Sequence, residues 1–250
     1  CNRLDSRELV FGIFKWVSIV LLYWSMRVSE RFTDRLREKA EGIMVAQHSH
    51  PFVTGIGDGT LDIERFKVWV RQDYLYLIEF ARLFSLASAR SPGLAEMTHF
   101  ASLADFTLKN EMELHRSYAR EFGITEKELE QEEKYPICQA YTDFLVRTTS
   151  LGSFGEFACV FLPCVWGYTE IGLRLADKGL PSDGRYANWI EMYSSEEQIE
   201  LNDHAREMVD SAALDQPDSE LARMERAYIT SARYELLFWE MCWSGQNWPV

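Results

Sequence analysis

A chain of 250 residues that is 47% hydrophobic is long enough for one sizeable core or two small ones. Its formal net charge is −13, and no basic cluster is dense enough to track a phosphate backbone, which excludes nucleic acid as a natural partner. The five cysteines, Cys1, Cys138, Cys159, Cys164 and Cys242, form no CxxC pair, so a disulfide framework and a zinc finger are both excluded and reduced thiols are expected.

The chain opens on an apolar run from Leu9 to Trp24, interrupted by Gly12, Lys15 and Ser18. A membrane-spanning helix needs about 20 apolar residues, and no small-residue cleavage site follows the run. A membrane or signal segment, an added amphipathic helix and sequence upstream of the native start compete here. Helical patterning of the soluble kind begins at Met26, which favours the last. Residues 1–25 are therefore read as an atypical apolar extension and 26–250 as the folded domain, with no membrane partner.

Ser29 to Gln47 has Phe32, Leu36, Ala40 and Met44 at four-residue spacing, which predicts one helix. His50-Pro51 should stop it, and Gly55-Ile-Gly-Asp-Gly59 is expected to be a tight loop. That loop has neither the spacing nor the preceding strand of a dinucleotide fingerprint. Thr60 is expected to cap the next helix, Ile63 to Ala89, which presents Asp73 and Tyr76 on one face. Pro92 should open another long helix ending near Glu121, with Glu111 and His115 as a buried structural pair. Gly123 is a C-cap, and Thr125 with Glu128 fits a capping box. Pro136 starts the next helix, which carries Tyr141. An apolar helix from Phe157 to Lys178 is interrupted at Pro163. Tyr186 to Met192 and Ser195 to Ser211 are two further helices with Tyr193 at their junction. The last helix, Ser219 to Trp243, carries Glu235 and Trp239. The pattern holds no convincing strand, repeat or linker, so it predicts one all-α bundle.

The segment Phe161-Leu-Pro-Cys-Val-Trp-Gly-Tyr168 bears the most chemistry. Proline cannot donate to the carbonyl four residues back, so Pro163 either kinks a helix or starts one. Cys164 sits at that irregularity, and Tyr168 shares its face one turn on. The pair is either an active-site wall or a small buried hydrophobe beside a core ring.

Five segments taken together resemble the TenA family, also called thiaminase II or aminopyrimidine aminohydrolase. They are His50-Pro-Phe-Val-Thr-Gly-Ile-Gly-Asp-Gly-Thr-Leu61, Gln72-Asp-Tyr-Leu-Tyr76 preceded by Arg65-Phe-Lys, Glu111-Met-Glu-Leu-His115, Leu162-Pro-Cys-Val-Trp166, and Tyr234-Glu-Leu-Leu-Phe-Trp239. They occur in the family's order and spacing, from about Val28 to Trp243. The resemblance implies a single-domain haem-oxygenase-like helical bundle, a homotetramer, and neither metal nor organic cofactor, while the acidic charge and the lack of a credible signal favour a cytoplasmic location. It implies hydrolysis of 4-amino-5-aminomethyl-2-methylpyrimidine, or less readily of thiamin, to hydroxymethylpyrimidine in thiamin salvage. Residue by residue, Cys164 matches the nucleophile of the cysteine-containing branch and Glu235 the acidic partner at the pyrimidine. Asp73 matches the carboxylate that reads the 4-amino group, with Tyr76 in the same motif. Tyr168, Tyr141 and Tyr193 match ring-contacting tyrosines.

The chemistry suits those residue types. Aromatic faces sandwich a flat pyrimidine. A thiolate added to the ring makes an electron-rich enamine that expels the leaving group, dividing one hard step into easier ones. Ring protonation by a carboxyl makes that addition easier. The thiolate itself could come from helix N-terminal amides at Pro163 or from proton transfer within the pocket. Two other classes compete. A di-metal oxidase would use Glu111/His115 and Glu200/His204, but the usual bundle motif is Glu-x-x-His. A regulatory protein would bind the pyrimidine without turning it over.

Overall fold

The computed structural model describes residues 31–91 and 93–249. The apolar run near the start, Met26, Pro92 and Cys1 lie outside the described residues. Twelve α-helices and one π-turn make up the fold, with no strand among the described residues. They are α1 (Phe32–Lys39), α2 (Glu41–His48), α3 (Pro51–Asp58), α4 (Ile63–Arg90), α5 (Leu94–Phe106), the π-turn (Thr107–Glu111) and α6 (Met112–Glu121). Then follow α7 (Glu126–Gln131), α8 (Pro136–Leu151), α9 (Phe154–Ala176), α10 (Gly184–Tyr193), α11 (Glu196–Ala213) and α12 (Asp218–Ser244).

The bundle is built around α9. Its buried residues lie on every side, from Phe157 through Leu162 to Leu175, so it can only be a central helix. Its neighbours are α8, α10, α11 and α12, while α4 packs against α5, α6 and α8. A capping box from Ser153 and Glu156 starts α9, and the box expected at Thr125 and Glu128 starts α7. Gly123 follows α6 at φ +71, as a C-terminal glycine should.

Several local expectations need correction. The first predicted helix breaks at Ala40 (φ −92, ψ 1), although Phe32, Leu36, Ala40 and Met44 are all buried. The Gly55–Gly59 stretch is mostly helix: α3 runs through Gly55 and Gly57, and only Gly59 is left-handed at φ 70. Packing explains this. A Cβ at Gly55 would lie 3.2 Å from the Leu61 backbone, and one at Gly57 would lie 2.6 Å from the Leu175 side chain. His50 ends one helix as expected but also starts the next, its ring accepting from the Phe52 amide at 3.2 Å. The cap of α4 is Asp62 rather than Thr60, accepting from the Glu64 amide at 2.9 Å. The helix expected to end near Glu121 is interrupted by the π-turn.

Candidate active site

A cavity of about 120 Å³ opens where α4, α5, the π-turn, α9, α10 and α11 converge. Asp73, Tyr76, Leu77 and Phe80 reach it from α4, and Leu103 and Phe106 from α5. Thr107 and Glu111 come from the π-turn, and Cys164, Val165 and Tyr168 from α9. Met192, Tyr193, Ser195, Glu197, Gln198 and Leu201 complete the wall. No lysine or arginine is among them.

Five of the seven residues singled out from the sequence line this space: Asp73, Tyr76, Cys164, Tyr168 and Tyr193. The other two, Glu235 and Tyr141, sit behind Cys164 and Tyr76. Glu235 is 3% exposed and lies beside the Cys164 thiol. The Tyr141 ring is 5.3 Å from that of Tyr76 and stacks on Tyr234 at 5.2 Å.

Pro163 lies inside α9. Cys164 is therefore not at a helix N-terminus, and the amide-stabilised thiolate is ruled out as a source of activation. Burial pushes the Cys164 thiol well above its usual range; the nearby Glu235 adds to that, and the neighbouring Tyr76 hydroxyl opposes it. Burial, reinforced by the Asp73 charge, pushes the Glu235 carboxyl up to about 8 against the opposing Tyr141 hydrogen bond and the neighbouring Cys164 thiol. Thiol and carboxyl thus both carry their protons near neutrality.

A chain of hydroxyls runs back from Glu235. Tyr141 Oη lies 2.5 Å from Glu235 Oε1 and 3.0 Å from Ser231 Oγ, and Ser231 donates to the Val160 carbonyl at 2.5 Å. With Glu235 protonated, each hydroxyl donates to the next and the chain ends on a carbonyl, which only accepts. With Glu235 ionised, Tyr141 donates to it instead. The chain serves both states of the carboxyl.

Asp73 is 5% exposed and is held by His115, whose Nε2 lies 2.7 Å from Asp73 Oδ2. His115 Nδ1 lies 3.0 Å from the Glu111 carbonyl. Both ring nitrogens face acceptors, so the imidazolium form satisfies the site. Burial lowers the His115 pKa, but the bond and charge of Asp73 outweigh it and the value is raised. A ring so occupied has no lone pair for a metal. His204, the other histidine of the oxidase alternative, instead faces His99 at a ring separation of 5.2 Å.

Aromatic rings back the cavity. Tyr168 lies 4.7 Å from Tyr193 and 5.0 Å from Trp239, and its hydroxyl accepts from Trp69 Nε1 at 3.3 Å. The buried Tyr76 hydroxyl has no hydrogen-bond partner of good geometry among the described residues. Gly172 lets the α10–α11 junction seat Tyr193 here: a Cβ would fall 2.5 Å from the Tyr193 carbonyl carbon.

Sequence reasoning missed Glu111 as a cavity residue. It does pair with His115, but through its backbone carbonyl, while the residue itself lines the cavity. The signal available was the four-residue spacing of Glu111 and His115, which does not say which face they share.

Residues 34–245 match the model of the TENA/THI-4/PQQC family, and the chain belongs to that family. Among its relatives, the aminopyrimidine aminohydrolase of Halalkalibacterium halodurans is 40% identical over 220 residues, covering 87% of this chain and 97% of the relative. A TenA homologue from P. horikoshii superposes with a TM-score of 0.80 at 31% identity, covering 86% of this chain and 99% of that one. A Shewanella denitrificans domain described as having a heme oxygenase-like fold superposes with a TM-score of 0.64 at 11% identity, covering 85% of this chain and 90% of that one, and the fold is of that type.

Proposed function

We propose that the protein is an aminopyrimidine aminohydrolase of thiamin salvage. It hydrolyses 4-amino-5-aminomethyl-2-methylpyrimidine, and less readily thiamin, to the hydroxymethylpyrimidine. One observation carries the reading: the Cys164 thiol, backed by the Glu235 carboxyl, borders a cavity whose α4 wall holds Asp73 clamped by His115. The names of the family's curated relatives support the substrate class.

Asp73 accepts from the 4-amino group with the oxygen that His115 leaves free. Tyr76, Tyr168 and Tyr193 hold the ring faces. Glu235 gives its proton to the ring nitrogen next to the attacked carbon, which makes that carbon electrophilic. Cys164 Sγ adds there as its proton passes to the carboxylate just formed. A thiol held neutral at rest is thus ionised only when a ring is present to receive it. The enamine expels the group on the adjoining methylene, water adds, and Sγ departs. Tyr141 follows Glu235 through both of its states.

We further infer a cytoplasmic homotetramer that needs no metal or organic cofactor. Its four cysteines among the described residues are free thiols, which supports a reducing compartment. Leu94, Met97, Phe106 and Leu108 leave an apolar strip exposed along α5 and the π-turn, which supports contact between copies. No helix among the described residues is long and apolar enough to cross a membrane.

The test is product formation from both substrates, followed by chromatography on metal-free protein, with Cys164→Ser alongside. Hydroxymethylpyrimidine from the wild type alone is expected. Its absence from both proteins would sink the hydrolase reading.

A further inference from the structure

The proposed reaction, on which this inference rests, leaves a need unmet at the methylene. A departing amine must leave as neutral ammonia, and the water that replaces it must lose a proton. Neither Asp73 nor Glu235 is placed for this. Asp73 is bonded to His115 and assigned to the 4-amino group, and Glu235 sits behind Cys164 at the ring nitrogen.

Connectivity within the substrate says where the missing group must be. The methylene is attached to the ring carbon between the one bearing the 4-amino group and the one that Sγ attacks. It therefore points at the wall between Asp73 and Cys164. Glu111 belongs to that wall: it lines the cavity, it feels the Asp73 charge, and its own charge acts on Cys164 and Tyr193. Of the remaining cavity carboxyls, Glu197 is exposed.

The backbone is built for this placement. Glu111 ends the π-turn, and Thr107, at the start of the same turn, lines the cavity beside it. A single π-turn within a helix is uncommon and concentrates at functional sites. Here it brings Glu111 to the cavity wall while its carbonyl holds His115.

We propose that Glu111 is the general acid and base of the exocyclic methylene, serving the leaving amine first and the incoming water second. The carboxyl proton goes to the amine nitrogen as the C–N bond breaks and its electron pair stays on nitrogen, releasing ammonia. The carboxylate then takes a proton from water as the C–O bond forms. Glu111 ends as it began, and the sum is amine plus water to alcohol plus ammonia. When thiamin is the substrate the thiazole departs as a neutral ring and needs no proton, so only the second task remains.

The titratable groups that share the cavity with Glu111 are Asp73 from α4, Cys164 and Tyr168 from α9, Tyr193 from α10 and Glu197 from α11, with His115 from α6 behind Asp73 and Glu235 from α12 behind Cys164. Burial pushes its carboxyl up to about 7 and Asp73 adds to that, while His115 and Thr107 oppose it. A value near the working pH suits a group that must both give and take a proton.

The experiment compares wild type, Glu111→Gln and Glu111→Asp on the aminomethylpyrimidine and on thiamin across pH 5 to 9. Ammonia and hydroxymethylpyrimidine are measured, with thermal unfolding as the check on folding. Glu111→Gln is expected to lower kcat on the amine by about 100-fold, to lower it on thiamin by clearly less, and to lose the limb of the pH profile near 7. Glu111→Asp should recover part of the loss. Equal losses on both substrates, an unchanged pH profile or wild-type rates in Glu111→Gln would each overturn the proposal. A wild type inactive on both substrates would instead overturn the hydrolase reading, and this proposal with it.

Discussion

The two halves of α9 differ in what surrounds them, although both are buried. The first half carries the fully buried Cys159, and its phenylalanines pack on other rings: Phe157 stacks on Phe161 at 5.3 Å and meets Phe100 at 5.1 Å, and Phe161 meets Phe84 at 5.9 Å. The second half carries Cys164 among hydroxyls and carboxyls, and it borders a cavity. Cys164 lies five positions after Cys159, about 500° of helix, so the two thiols face directions about 140° apart. Burial raises the pKa of both. What separates them is access to a cavity. Cys159 is fully buried, whereas Cys164 keeps some exposure, has Tyr76 and Glu235 beside it, and has space in front of it. A raised thiol pKa therefore identifies neither cysteine as reactive; a group to take the proton and room for an electrophile do.

The largest test of that contrast is Cys164→Ser, which should cut turnover by at least about 10³-fold with thermal unfolding unchanged. Retained turnover would mean the cavity thiol is as inert as Cys159. Next comes Glu235→Gln, expected to lower kcat by about 100-fold or more and to remove the limb of the pH profile near 8. The same variant should change stability. The folded-state pKa is raised from 4.5 to about 8, so the folded protein keeps a proton over that window that the unfolded chain loses. Wild-type stability should then fall as pH rises from about 4.5 to 8, and Glu235→Gln should lack this slope and gain on the order of 2–4 kcal/mol at pH 8.5 in denaturant melts. Asp73→Asn should raise KM by about 10-fold or more, since a hydrogen bond to a charged group contributes about 1.5–3 kcal/mol. The smallest effect belongs to Cys159→Ala. It should cost about 1–2 kcal/mol in a denaturant midpoint through lost packing and leave kcat and KM alone. A kinetic defect there would erase the distinction between the halves.

Much of this contrast is legible in the order of residues alone. Four-residue spacing marks the buried faces of α1, α2 and α4, and the Thr125–Glu128 box and Gly123 mark helix ends. The motifs around Asp73, Cys164 and Glu235 point to the residues that meet. What escapes such reading is decided by packing between distant parts of the chain. Gly55 and Gly57 read as loop because glycine is a poor helix former, yet Gly57 is small where Leu175 of α9 presses on α3, and Gly55 where Leu61 folds back on it. Ala40 is an excellent helix former that sits at a break. The π-turn changes which side of the helix Glu111 faces, and no local propensity encodes that. The role of His115 depends on Asp73, 42 residues away and on another helix.

Gly172 never reaches the cavity, yet it sets how near Tyr193 can come to α9. The distance between opposing walls of the pocket is thus governed by the absence of one methyl group in the layer behind. Descendants of this chain could adopt bulkier or slimmer substrates by exchanging small residues in that hidden layer, leaving every group that handles a proton or a sulfur bond untouched.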